Sequence, residues 1–297
     1  MKIARHIPRP AAAVPLSVLA LLTAGFFAAP VFAQTATTGS VVVKKFYDAN
    51  ANGIRDTGEP WLSGWPMTLT GPGIDSTRNS TATWSGLAGG AGYSVLEATP
   101  VETNWVQTAP RVGGVPVNPR DVSVVACQTV TIKFGNYCKK GSGGRTPGFW
   151  SNQNGQAKLN DGDPPSNAPE LGMLSSLNLV DAAGNAFDPA DYGSFRTWLL
   201  ASTAVNMAYK LSSHLAAMTL NVEAGYVNAD SFFLPCNCTI GELLDDADAS
   251  LAAYPYTPDG HPQRANQEML KNWLDQLNNG ALIVSATPCR RTFYSGY

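Results

Sequence analysis

The stretch Asp48-Ala-Asn-Ala-Asn-Gly-Ile-Arg-Asp-Thr-Gly-Glu59 places an oxygen-bearing side chain at positions one, three, five, nine and twelve of a loop. That is the ligand spacing of a calcium-binding loop. Asp48, Asn50, Asn52 and Asp56 would each offer a side-chain oxygen, Ile54 its backbone carbonyl, and Glu59 a bidentate carboxylate. Gly53 falls where such a loop turns sharply with positive φ. Three carboxylates against Ca2+ leave a surplus of about one negative charge, partly offset by Arg55, which predicts modest affinity of roughly 10⁻⁴ to 10⁻³ M. The competing reading of the same residues is an Asn/Asp/Gly turn that holds no ion.

The flanks decide what kind of loop this is. Val41-Val-Val-Lys-Lys-Phe-Tyr47 before it is β-branched and aromatic, and Pro60-Trp-Leu-Ser-Gly-Trp65 after it is turn-like, so the spacing predicts strand–loop–strand and not helix–loop–helix. Further strands are expected at Pro66–Thr70, Ser76–Trp84, Tyr93–Glu97, Trp105–Thr108, Val122–Ala126 and Thr129–Phe134. About seven short strands in a hundred residues point to a β-sandwich. The stretch Lys139-Lys-Gly-Ser-Gly-Gly-Arg-Thr-Pro147 reads as a flexible linker by composition. After it the period changes. Met207, Leu211, Leu215, Met218 and Val222 form one helical stripe that stops at Gly225. A second helix opens at Thr239 with Glu242 three residues on, a capping box. A third begins at Pro262 and carries Leu270, Trp273, Leu274 and Leu277. A helix over Ser194–Ser202 and a strand over Ala281–Ser285 are also expected. The fold class is therefore two-domain: an all-β sandwich over 39–138, a linker over 139–147, and a mainly α domain over 148–297.

Residues 1–33 combine a basic start (Lys2, Arg5, Arg9), an apolar run and Val31-Phe-Ala33 as a small-residue cleavage signal, which reads as a secretory signal peptide. No second apolar run is long enough to span a membrane, so the mature chain is expected to be secreted, extracellular or at the cell surface, with no membrane span. Removing the signal takes three of 20 basic residues and none of 22 acidic ones, leaving a formal charge near −5, which argues against nucleic acid as a partner. Export permits disulfides among Cys127, Cys138, Cys236, Cys238 and Cys289. Cys236 and Cys238 are too close in sequence to favour pairing with each other, so at most two bridges are expected with one thiol left over, and pairing of Cys289 with Cys236 or Cys238 is the expected bridge, tying the C-terminal tail to the helical domain.

Val43-Lys-Lys-Phe-Tyr-Asp-Ala-Asn-Ala-Asn-Gly53, Gly58-Glu-Pro-Trp-Leu-Ser-Gly-Trp65, Tyr93-Ser-Val-Leu-Glu97 and Thr131-Ile-Lys-Phe-Gly-Asn136 resemble the prealbumin-like B-repeat domains of bacterial surface adhesins and pilins, of SdrD B-type and Cna B-type. The resemblance covers about a third of the chain and implies a prealbumin-like or Ig-like sandwich acting as a stalk or spacer. In some Cna B-type modules an internal isopeptide bond joins a first-strand lysine to a last-strand asparagine, promoted by a buried acid. The positions that match are Lys45, Asn136 and Glu97. A desolvated lysine becomes a nucleophile while a protonated glutamate polarises the amide. The plainer reading makes Lys45 and Glu97 surface charges and Asn136 a turn residue. Gly144-Arg-Thr-Pro-Gly-Phe-Trp-Ser-Asn-Gln-Asn-Gly-Gln156, with Asn206-Met-Ala-Tyr209 and Arg264–Trp273, resembles a C-terminal module of exported bacterial proteins with no assigned activity.

The helical part offers little chemistry. Asp245, Asp246 and Asp248 read as a solvated face, His214 as a structural histidine, and Asp161-Gly-Asp163 as a weak second ion site. Pro147, Phe149 and Trp150 are expected to pack the domain junction. The reading is a non-enzymatic, exported, Ca2+-binding structural or adhesive protein of a cell surface, filament or matrix. Its partners would be surface or matrix proteins, glycans or further copies of itself. A carbohydrate-binding module using exposed aromatics is the alternative, followed by a hydrolase in the helical domain.

Overall fold

Alternation in Val41–Tyr47 puts Val41, Val43, Lys45 and Tyr47 on one strand face. In the computed structural model, which describes residues 37–160 and 169–294, all four are buried. The expected signal peptide and the Asp161–Asp163 turn lie outside the described residues. The strands are β1 (Thr38–Tyr47), β2 (Pro66–Gly71), β3 (Ile74–Asn79), β4 (Ala82–Ala88), β5 (Gly90–Glu97), β6 (Trp105–Ala109), the short pair β7 (Arg111–Val112) and β8 (Val115–Pro116), β9 (Arg120–Val124) and β10 (Thr129–Gly141). Helices α1 (Pro147–Trp150), α2 (Gln153–Asn160), α3 (Pro169–Leu174), α4 (Tyr192–Ala201) and α5 (Met207–Glu223) follow. The chain then forms β11 (Phe232–Phe233), β12 (Cys238–Thr239), α6 (Ile240–Ala253), α7 (Arg264–Asn278) and β13 (Leu282–Val284).

Two sheets face each other. One has the order β12-β11-β13-β10-β1-β4, with β6 also paired to β10, and the other has the order β3-β2-β5-β9. Val41, Val43, Trp65, Met67, Leu69, Trp84, Val95 and Phe134 fill the shared core between them. The first and last long strands, β1 and β10, run parallel side by side, with Lys45 opposite Phe134 and Tyr47 opposite Asn136. The expected strand Ser76–Trp84 is two strands: β3 pairs with β2 in one sheet and β4 with β1 in the other. The chain changes sheets at Ser80, which is buried and donates its hydroxyl to the Leu62 carbonyl at 2.6 Å. A local apolar pattern cannot register such a crossing, because both halves alternate alike.

A second core gathers around α5, with Trp150, Phe195, Leu211, Leu215, Leu243 and Leu274. Asn206 caps α5 by accepting from the Ala208 N–H at 3.1 Å, and Thr239 and Glu242 form the reciprocal capping box of α6. Helix α7 starts at Arg264, two residues after Pro262. Trp150 belongs to this helical core and not to a junction with the sandwich.

The stretch expected to be a flexible linker is held at both ends. Lys139–Gly141 continue β10 and pair with β13, and Ser142 is buried with its hydroxyl on the Leu277 carbonyl at 2.6 Å. Arg145 gives its backbone N–H to Asn221 Oδ1 at 2.9 Å and takes Asn221 Nδ2 on its carbonyl at 2.8 Å. Glycine-rich composition signals backbone freedom only when no partner captures the chain. Here a returning strand and one buried amide do.

Candidate functional site

Strand β1 carries Lys45 inward, and because β1 and β10 are parallel neighbours, Asn136 sits on the same face two positions past the residue opposite Lys45. Strand β5 of the facing sheet brings Glu97 across the core. The result is a buried triad, with Lys45 1%, Glu97 4% and Asn136 3% exposed. Lys45 Nζ lies 2.8 Å from Glu97 Oε2, and Asn136 Nδ2 donates to Glu97 Oε1 at 2.7 Å. One carboxyl group therefore touches both nitrogens. The plainer reading of these three as surface charges and a turn does not describe this arrangement.

Burial outweighs attraction on both charged partners. It lowers Lys45 to about 8 against the opposing pull of Glu97, and it raises Glu97 against the pull of Lys45. Both shifts favour passing the proton from lysine to glutamate, leaving a neutral amine beside a carboxylic acid. Lys45 Nζ also lies 4.4 Å from the centre of the Trp65 ring, which would steady the cation before that transfer. Asn118 fixes the backbone of Glu97 from both sides: it accepts from the Glu97 N–H and donates to the Glu97 carbonyl, each at 2.8 Å. Neither Trp65 nor Asn118 was legible as part of this site. Asn118-Pro119 reads as a turn dipeptide, and only the fold sets it beside β5.

The Asp48–Glu59 loop lies at the end of β1. Asp48 is fully buried and accepts the backbone N–H groups of Asn52 at 3.0 Å and Gly53 at 2.7 Å, and Gly53 has the expected positive φ of 81°. Glu59 accepts from the N–H groups of Ala49 at 2.7 Å and Asp56 at 3.0 Å. Asn50 and Asn52 turn their amide nitrogens to Asp56 Oδ2, which holds that carboxyl below its ordinary range. Ile54 is exposed, and Arg55 gives its guanidinium to the Glu59 backbone carbonyl and the Trp61 ring. Glu59 is pushed up by burial first, and also by the charges of Asp48 and Asp56. Asp48, Asp56 and Glu59 carry the carboxylate oxygens that Ca2+ takes, whereas the Asn50 and Asn52 amides turn nitrogen to Asp56 and their oxygens to backbone N–H groups. Among the described residues, however, no three Asp, Glu, His or Cys side chains converge as a metal-holding group.

The disulfides are Cys138–Cys289 and Cys236–Cys238, which corrects both the expected pairing of Cys289 with Cys236 or Cys238 and the expectation that those two would not pair with each other. Asn237, at φ 55°, turns the β11–β12 hairpin so tightly that Cys236 and Cys238 stand 5.2 Å apart at Cα, within bridging range. Strand β13 runs antiparallel to the end of β10 and delivers Cys289 to Cys138. The tail is thereby tied to the sandwich and not to the helices. Cys127 is exposed and lies outside both bridges.

No protein-family model and no curated protein matches the chain. Among solved structures, 34% of the chain aligns with 45% of GBS52, the minor pilin of Streptococcus agalactiae, at 15% identity and a TM-score of 0.23. The aligned part thus spans less than half of that pilin, and at this score the β-sandwich description rests on the strand pairing alone.

Elsewhere, His214 is buried with Nδ1 3.8 Å from Asp275 Oδ1, and burial lowers it to about 4. Asp248 accepts the Asn178 N–H at 2.6 Å and its amide at 2.8 Å, so this member of the acidic cluster holds a loop. An open cleft of about 500 Å³ is lined by Ser151, Asn152, Gln153, Gln156, Tyr192 and Arg196.

Proposed function

We propose that this chain is an exported structural protein of a cell surface, filament or matrix whose sandwich locks itself with an isopeptide bond between Lys45 and Asn136. The observation that carries this reading is the Glu97 carboxyl in contact with both the entering nitrogen, Lys45 Nζ, and the leaving nitrogen, Asn136 Nδ2. Neutral Lys45 attacks Asn136 Cγ. Glu97 accepts a proton from the amine on Oε2 and protonates the departing Nδ2, so that ammonia leaves and the carboxyl returns to its starting state. Pre-packed strands supply the proximity that an intermolecular amide exchange lacks. The reaction occurs once per molecule, which makes the chain its own substrate and not an enzyme.

Such a bond ties the first strand to the last one. A stretching force applied through β1 and β10 would then pass through a covalent link and not through strand hydrogen bonds, the behaviour wanted of a stalk. Two disulfides suit an oxidising compartment outside the cell. Intact mass of the purified protein tests the reading. Loss of one ammonia in the parent, absent from Asn136→Ala and Glu97→Ala, is the expected result, and an unshifted parent mass would end it.

The charges of Asp48 and Asp56 that reach Glu59, with the ligand spacing of the loop, support a second element, Ca2+ at this loop, with Asn50, Asn52 and the Ile54 carbonyl as further oxygens. The ion would supply positive charge that neutralises the cluster and stiffens the β1 connection.

A further inference from the structure

The proposed crosslink needs a dry Lys45, and one side of its amine is the Trp65 ring, whose centre is 4.4 Å away. The wall there is Trp65, fully buried, packed edge-on against Trp105 at 5.2 Å between ring centres. What covers this wall comes from the other end of the chain. Phe293 packs on Trp65 at 5.3 Å, and the Arg291 guanidinium lies 5.5 Å from the centre of the same ring that Lys45 approaches at 4.4 Å. Each point of attachment is specific. Tyr47, two residues from Lys45 on the same strand face, donates its hydroxyl to the Ser285 carbonyl at 2.5 Å. Cys138, two residues from Asn136 on the same face of β10, forms the disulfide to Cys289. Arg291 donates to the Ser63 carbonyl at 2.6 Å, and Thr292 gives its N–H and hydroxyl to the Glu102 carboxylate at 2.7 and 2.9 Å. The segment is therefore fastened at β1, at β10 and at the loops that carry Ser63 and Glu102.

We propose that Ser285–Phe293 is a built-in cover for the Lys45–Glu97–Asn136 site, with Arg291 as its positioning residue, so that the crosslink forms only after the segment is docked and clamped by Cys138–Cys289. This rests on the isopeptide reading given above. Closing the clamp oxidises two thiols while a disulfide oxidant such as oxidised glutathione is reduced. The crosslink then joins Lys45 Nζ to Asn136 Cγ and releases ammonia, with no redox change. Docking does two things for the amine. It removes water from the Trp65 side, and it brings a fixed positive charge that disfavours the ammonium form. The charged groups acting on Lys45 are Glu97 from β5 and Asp48 from the loop, which favour the ammonium, and Arg291 from the tail, which opposes it. Because the tail follows α7 and β13, the order of events would place crosslinking after the helical part has folded.

The test follows ammonia loss by intact mass after a pulse of synthesis, over a range of pH, in the parent, Cys138→Ser/Cys289→Ser, Phe293→Ala and Arg291→Gln. Opening the clamp or removing the Phe293 ring should slow bond formation by about tenfold or more. Arg291→Gln should move the pH of half-maximal rate upward, a readout that a merely structural role would not shift. Equal rates and an unmoved pH profile would overturn the cover, and Phe293→Ala with Arg291→Gln decide the matter if the double serine variant fails to fold. If the parent itself never loses ammonia, the isopeptide reading falls, and the cover is judged separately in Asn136→Ala, where Lys45 stays an amine. Acetylation of Lys45 by an N-hydroxysuccinimide ester should then be slow with the disulfide intact and about tenfold faster with both cysteines replaced. Equal labelling would overturn it.

Discussion

Asn221 in the helical core and Asn136 in the sandwich are both buried amides, and they are treated in opposite ways. Asn221 Oδ1 accepts from the Arg145 N–H and the Trp150 indole at 2.9 and 3.2 Å, and its Nδ2 donates to the Arg145 carbonyl and to Asn278 Oδ1, both at 2.8 Å. Every bonding direction of that amide is engaged by neutral groups, and it acts as a joint between α1, α5 and α7. Asn136 gives only its nitrogen, to Glu97, while its buried Oδ1 has no hydrogen-bond partner among the described residues, and a lysine stands on the far oxygen of the same carboxyl. A fully satisfied neutral amide is a structural element. An amide left half-satisfied beside a desolvated amine and acid is the arrangement the proposed crosslink requires.

The largest effect should separate these two amides directly. Lys45→Ala removes both the proposed crosslink and the partner of a buried glutamate, and the protein should lose on the order of 5 kcal/mol with no ammonia lost from its mass. Asn221→Ala leaves the Arg145 backbone groups and Asn278 without their partner and should cost about 2–4 kcal/mol, while the crosslink still forms. Denaturant melts with intact mass check both. A crosslink lost in Asn221→Ala would blur the contrast, since it would make the helical joint part of the reaction.

The next effect concerns pH. His214 is lowered from 6.5 to about 4, so between those values the unfolded chain binds more protons than the folded one, and stability falls as pH drops through that window. The loss from this group should be up to about 3 kcal/mol at pH 4, and His214→Leu should flatten it. Melting temperature against pH for the two proteins is the measurement. An unchanged slope would show that His214 is not the group that titrates.

The smallest effect is expected at the loop. With affinity near 10⁻⁴ to 10⁻³ M, 1 mM Ca2+ should add only about 0.4–1.4 kcal/mol to stability, and Glu59→Gln should remove the difference. Melting in calcium and in chelator measures it. Equal melting of the parent in both conditions would mean that the loop is a hydrogen-bonded turn.

Much of this was legible locally. The alternation in Val41–Tyr47 set Lys45 on one face with Val41 and Val43, the stripe from Met207 to Val222 marked α5, and Thr239 with Glu242 marked the start of α6, because strand faces, helix faces and caps depend on residues within a few positions of each other. Most of what failed was non-local. The split of Ser76–Trp84 between sheets depended on Leu62 and Trp65, the order of the Lys139–Pro147 stretch on β13 and Asn221, and the Cys138–Cys289 disulfide on the return of the chain after α7. The Cys236–Cys238 disulfide is the local exception, set by the left-handed turn at Asn237. Trp65, Asn118 and Arg291 entered the site only because distant segments meet there.

The sequence by itself determined the residue types available and the strand face that Lys45 shares with Val41 and Val43, since residue type and strand alternation are properties of the local chain. The tertiary structure alone decided that a carboxyl from the facing sheet would stand between an amine and an amide. It also decided that a tail from beyond the helices would cover them. Burial and charge act through space, and no short stretch of sequence records what will lie across the core from it.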